Sequence, residues 1–126
     1  MIIIMDYSNI ISILCPNSIF TITNNEYATL VWVSTNTHTK PSENEIITKE
    51  VSLTYDFAYS ELRYKRNKLL YDSDRYSLPD YPHLNDTIKN QWLTYRTSLR
   101  NITSQTPTVN IYTGEITNII WPTLPS

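Results

Sequence analysis

From Ser42 to Leu78 the chain holds neither glycine nor proline, and both ends of that stretch are marked by proline, at Pro41 and Pro79. Those two residue types are the ones that most readily end a helix. Within the stretch Ile46, Ile47, Val51, Tyr55, Ala58, Leu62 and Leu69 recur at helical spacing. Ser42 and Glu45 stand as a capping box that can satisfy free amides at a helix start. A helix of about 30 residues, about 45 Å long, is the expectation. The competing reading breaks it near Ser52–Thr54, where hydroxyl and β-branched residues gather.

The flanks are read from the same punctuation. Upstream, Asp6 can cap a short helix through about Leu14, ended by Pro16-Asn17. Ser18–Thr23 and Tyr27–Ser34 are β-rich, and Asn24-Asn25 between them marks a hairpin with Trp32 on its buried side. Downstream, Pro79 and Pro82 require an extended linker, with Asp72, Asp74 and Asp80 in turn and capping roles. A second helix then begins near Asn85 or Asp86, with Ile88, Trp92, Tyr95, Leu99 and Ile102 in steps of four, three, four and three. If the two helices fold back on one another, Arg96 and Arg100 can pair with Asp72, Asp74 or Asp80. After Pro107 come short extended pieces around a Thr113-Gly114 turn, closed by Trp121-Pro122-Thr123-Leu124-Pro125. The expected fold is α+β: a short helix and β-hairpin, then a two-helix antiparallel hairpin with an extended Trp-Pro tail. The division expected is residues 1–40 for the first module and 41–126 for the second.

Composition narrows the function. A formal net charge of -2 and a pI near 5.6 supply no basic face for nucleic acid. The run Arg63, Lys65, Arg66 and Lys68, interleaved with Tyr64, reads as a solvated helix face. Met1–Met5 is apolar but stops at Asp6 without a basic start, so it does not read as a signal peptide. No apolar run approaches the roughly 18 residues of a membrane span. Cys15 is the one cysteine and sits among Ile13, Leu14 and Pro16, as a small buried hydrophobe does. His38 and His83 lack ligand-spaced neighbours, so neither a metal site nor an activated nucleophile is indicated. Asn85-Asp86-Thr87 and Asn101-Ile102-Thr103 match glycosylation sequons by chance in an Asn/Thr-rich chain. Gly114 is the only glycine, a shortage that an AT-rich coding sequence explains.

One ordered set of residues is more specific. It runs Arg63…Arg66-Asn67…Leu69-Leu70…Asp74…Asp80-Tyr81-Pro82, then Trp92-Leu93-Thr94-Tyr95-Arg96…Leu99-Arg100-Asn101-Ile102, then Trp121-Pro122…Pro125. It resembles the phage tail assembly chaperone-like family, over about half the chain. Pro16-Asn17, Tyr27, Trp32 and Lys40-Pro41-Ser42…Glu45 are similar to an amino-terminal hairpin joined to this module in tail-associated and large-virus proteins. Two features depart from the pattern: Tyr76 stands where the family usually has tryptophan, and Thr106–Ile120 is long.

The resemblance implies a non-enzymatic viral tail or virion assembly protein acting in the host cytoplasm during assembly. Its partners would be other viral structural proteins, with no nucleic acid, membrane, small-molecule substrate or cofactor. The alternative is a minor structural subunit retained in the virion, in capsid, tail or fibre. Leu69, Trp92, Tyr95, Leu99, Arg96 and Arg100 are the expected core of the module. Trp32, Tyr112, Ile119, Trp121 and Pro122 are the expected partner-facing residues.

Overall fold

A computed structural model describes residues 6–126. The expectation for Met1–Met5 lies outside the described residues. The elements in order are α1 (Tyr7–Leu14), β1 (Phe20–Thr23), β2 (Glu26–Trp32), α2 (Glu43–Asp72), a 3-10 turn at Asp74–Ser77, α3 (Asp86–Arg100) and a second 3-10 turn at Ile102–Gln105. Two two-residue strands follow, β3 (Thr108–Val109) and β4 (Ile116–Thr117). The fold is α+β, with a short helix and hairpin ahead of a long helix and a shorter one, as expected.

The chain divides into two compact units. The first runs to Asp56 and takes in Ile111–Gly114; the second comprises Phe57–Asn110 and Glu115–Ser126. The helix α2 is continuous through Ser52–Thr54, so no break occurs there. Thr54 returns its hydroxyl to the Glu50 carbonyl at 3.0 Å, which keeps a buried polar side chain satisfied inside the helix. At its start, Ser42 Oγ accepts from the Glu45 amide at 3.1 Å, the forward half of the capping box.

In the first unit, Asp6 caps α1 by accepting from the Asn9 amide at 3.0 Å. The hairpin β1–β2 turns at Asn24-Asn25, both with positive φ, the geometry of a tight two-residue turn. With no glycine available, asparagine fills these left-handed positions, and also Asn17 and Asn118. A bulge interrupts the ladder between Thr21 and Thr23, where the Thr29 hydroxyl accepts from the Thr23 amide at 2.8 Å. Beyond the hairpin, the Asn36 side-chain amide closes both backbone groups of Ile19, each at 2.8 Å.

One face each of α1, β2 and α2 meet in a core of Ile10, Ile11, Leu30 and Ile46, ringed by Tyr7, Leu14, Phe20, Ile22, Tyr27 and Trp32. Cys15 is buried, and burial first and then the nearby Glu45 charge push its thiol pKa up. It is therefore a poor nucleophile at neutral pH.

In the second unit, Asn85 caps α3 by accepting from the Ile88 amide at 2.9 Å. The helix stops at Arg100, earlier than the apolar period suggests, and Ile102 reaches full burial from the 3-10 turn instead. Ala58, Leu62, Tyr95, Leu99, Ile102 and Val109 are its buried apolar residues. The segment Leu78–Pro82 is not extended throughout as expected: it turns at Leu78–Asp80 after the 3-10 turn and is extended only beyond that.

Ile46 is fully buried at the centre of the first unit's core. Replacing it with alanine is expected to lower unfolding free energy by about 2–5 kcal/mol in chemical denaturation. A loss well under about 1 kcal/mol would contradict this packing, because it would mean the site collapses without a cavity.

Candidate functional site

A helix ends with carbonyls that have no partner in the helix itself. At the end of α2 they are met by Ser73, whose amide and hydroxyl reach both the Leu69 and Leu70 carbonyls, and by a residue from another element. Arg96, on α3, is buried and donates from Nη1 to the Leu70 carbonyl at 2.7 Å and to Ser73 Oγ at 2.7 Å. Its Nη2 donates to Asp74 Oδ1 at 2.9 Å. Ser73 is itself buried, and its hydroxyl reaches back to the Leu69 carbonyl at 2.9 Å. A guanidinium suits this place because its donors form a rigid fork and its charge complements the negative end of the helix dipole. Nε is buried without a hydrogen-bond partner among the described residues, so the arrangement is not fully satisfied. Of the three acidic residues open for pairing, Asp74 is the one that meets Arg96. It is largely exposed, so the ion pair itself adds less than the buried hydrogen bonds.

Around this bond lies a run of rings. Tyr76 stacks on Trp92 with centroids 3.8 Å apart and planes 11° from parallel. Trp92 meets Tyr95 edge-on at 5.6 Å, and Tyr81 meets Tyr76 edge-on at 5.0 Å. His83 donates from Nε2 to the Tyr76 carbonyl at 2.9 Å, which places this histidine in the linker's own structure. Tyr76 thus occupies a stacking position that a tryptophan would also fill, and the departure from the pattern keeps an aromatic face. Burial, and then the Asp72 charge, push the Tyr95 hydroxyl pKa up.

The Trp-Pro tail has no regular structure and is held by side chains of the same unit. Gln105 donates from Nε2 to the Ile120 carbonyl at 2.9 Å and accepts from the Ile120 amide at 2.8 Å, so one side-chain amide pairs with the backbone as a strand would. Lys65 Nζ lies over the Trp121 ring, 4.4 Å from its centroid. Leu124 and Pro125 then border a cleft of about 400 Å³ with Leu69, Tyr76, Trp92 and Tyr95.

The expected site residues therefore fall into different settings. Leu69, Trp92, Tyr95, Arg96 and Leu99 surround the end of α2 and the face of α3, while Arg100 is exposed. Ile119, Trp121 and Pro122 are half-buried, and Ile119 and Trp121 line one cleft with Glu61 and Leu62. In the first unit Trp32 is half-buried, stacks on Phe20 at 5.9 Å and donates from Nε1 to the His38 carbonyl at 3.1 Å. Tyr112 is 74% exposed. Two residues escaped sequence reasoning. Ser73 carried no signal beyond its place after the helix, and Gln105 carried none.

The family model described as phage tail assembly chaperone protein matches residues 59–126. The chain belongs to the phage tail assembly chaperone family. Membership points to a non-enzymatic role in viral tail assembly. The family region lies within the second unit apart from the Ile111–Gly114 loop, and it contains the Arg96 anchor, the aromatic run and the docked tail. Among curated proteins, and among solved structures, nothing matches the chain. Among the described residues no group of three or more His, Cys, Asp or Glu side chains could hold a metal ion, and no helix is long and apolar enough to cross a membrane.

The balance of forces at Arg96 is measurable. Arg96→Met removes the charged donor from Ser73 Oγ and from the Leu70 carbonyl, which keeps its bonds from the Ser73 amide and hydroxyl, and should destabilise the module by about 1–3 kcal/mol. Asp74→Asn keeps both bonds and should cost under about 1 kcal/mol. Equal losses in the two variants, read by denaturation, would show that the ion pair rather than the helix-end bonds carries the contact.

Proposed function

We propose that this chaperone-family chain works through protein–protein contacts, binding another viral tail protein during assembly in the host cytoplasm and carrying out no chemistry. Membership of the tail assembly chaperone family over residues 59–126 is the observation that carries the reading. In this reading residues 41–126 form the chaperone module, and residues 1–40 form an attached hairpin module that adds a second contact area. The partner-facing residues are taken to be Trp32, Tyr112, Ile119, Trp121 and Pro122. The aromatics among them suit such a role, since ring side chains bring large contact area at modest entropic cost.

Removal after assembly distinguishes a chaperone from a subunit. A tagged chain expressed during infection should recover a viral tail protein from cells, and mass spectrometry of purified virions should not find the chain. Stoichiometric recovery from virions would instead establish a minor structural subunit. Failure to recover any viral tail protein from infected cells would contradict the contact-based reading.

A further inference from the structure

The tail lies docked on its own unit as an extended segment. Between Asn118 and Ser126 there is no regular structure, and Pro122 and Pro125 lack backbone N–H groups, which keeps the segment extended. Its attachment rests on a few side-chain contacts: the Gln105 pairing with Ile120 and the Lys65 ammonium over Trp121. The seating is loose. Where Leu124 and Pro125 pass Tyr95, a cleft of about 400 Å³ lies on the aromatic side and one of about 670 Å³ on the side of Asn90 and Thr94. Ile120 and Leu124 are 80% and 68% exposed, so two large aliphatic side chains gain little from the docked position. Segments with few buried contacts and exposed backbone open at low free energy.

The occupant that fits the emptied groove is already visible, because this chain's own Trp121–Pro125 segment fills it. An extended proline-containing segment on an aromatic-lined groove is a mode of peptide recognition that works equally well within a chain or between chains. We propose that the tail exchanges between copies: Ile120–Pro125 of one chain docks on the Gln105, Lys65 and Tyr95 surface of a second copy, and the reciprocal exchange closes a two-fold dimer. Closure is expected because a reciprocal exchange uses the same patch on both chains and leaves no tail or groove unmatched.

Two features set where the balance lies. A tail tethered in cis has an effective concentration of about millimolar order, so the purified chain is monomeric when dilute and exchanges as its concentration approaches that range. The hinge is Asn118, with φ 65° and its Nδ2 donating to Thr108 Oγ1 at 3.0 Å. The groove contacts are the same in the closed monomer and the exchanged dimer, so they cancel from the equilibrium. The hinge is what differs. Asn118→Val removes both the tolerance for left-handed backbone and the bond to Thr108, and so disfavours the closed form.

The purified chain alone tests this, so failure here leaves the proposal of a tail-protein partner untouched. Sedimentation in the presence of reductant should give a concentration-dependent dimer, strengthened about a hundredfold by Asn118→Val because two hinges are relieved per dimer, and lost when residues 119–126 are removed. Isotope-filtered NMR on a mixture of labelled and unlabelled Asn118→Val chains should show contacts from Pro125 of one chain to the Tyr95 ring of another. Circular dichroism of the shortened chain checks that its helices persist. A chain that remains monomeric to about 1 mM in both native and Asn118→Val forms, or a dimer that persists after residues 119–126 are removed, overturns the proposal.

Discussion

The chaperone module depends on how the end of α2 is closed. A helix of 30 residues presents unpaired carbonyls at its end, and Leu69 and Leu70 lie where the chain must turn away. Glycine, the usual residue for turning a helix terminus, is absent from this segment. The solution is partly local and partly remote: the Ser73 amide and hydroxyl reach both the Leu69 and Leu70 carbonyls, and Arg96 from α3 donates to Leu70 and Ser73 together. Because the charged donor comes from the next helix, ending α2 and placing α3 are coupled. Once Arg96 is seated, Trp92 and Tyr95, which lie one turn or less away on α3, are carried toward Tyr76 and the groove.

The tail depends on the same placement one step removed. Leu99 and Ile102 are fully buried, and Ile102 begins the 3-10 turn that presents Gln105. Thr106 follows with left-handed backbone, a costly position for a β-branched residue. Gln105 then holds Ile120, and Trp121 lies under Lys65. A series of single side-chain contacts thus substitutes for a third helix or a longer sheet. Such a construction holds an extended segment in place through few side chains.

Much of the architecture was legible because it rests on local rules. The helix over Glu43–Asp72 follows from a stretch without glycine or proline, and the hairpin turn from Asn24-Asn25, since asparagine is the non-glycine residue most tolerant of positive φ. Pairing of Arg96 with one of three acidic residues was legible as a set, and the structure selects Asp74. What the sequence could not display were contacts that exist only after folding. Ser73 and Gln105 are ordinary polar residues whose roles come from where Leu70, Arg96 and Ile120 meet them. The early stop of α3 is of the same kind: Ile102 keeps the apolar period while the backbone tightens to a 3-10 turn, and periodicity does not distinguish the two over one turn. Arg100 shares the helical register expected of a module core yet is exposed, because burial is decided by what packs against α3.

The most direct test of the central claim is native-state hydrogen exchange on the chain with and without Arg96→Met. If the helix-end bond organises the module, protection should fall together at Leu99, at Ser73 and at the Ile120 amide that Gln105 holds, residues otherwise separated along the chain. A loss confined to Ser73 and its immediate neighbours, with Leu99 and Ile120 unchanged, would contradict the account and reduce Arg96 to a local cap.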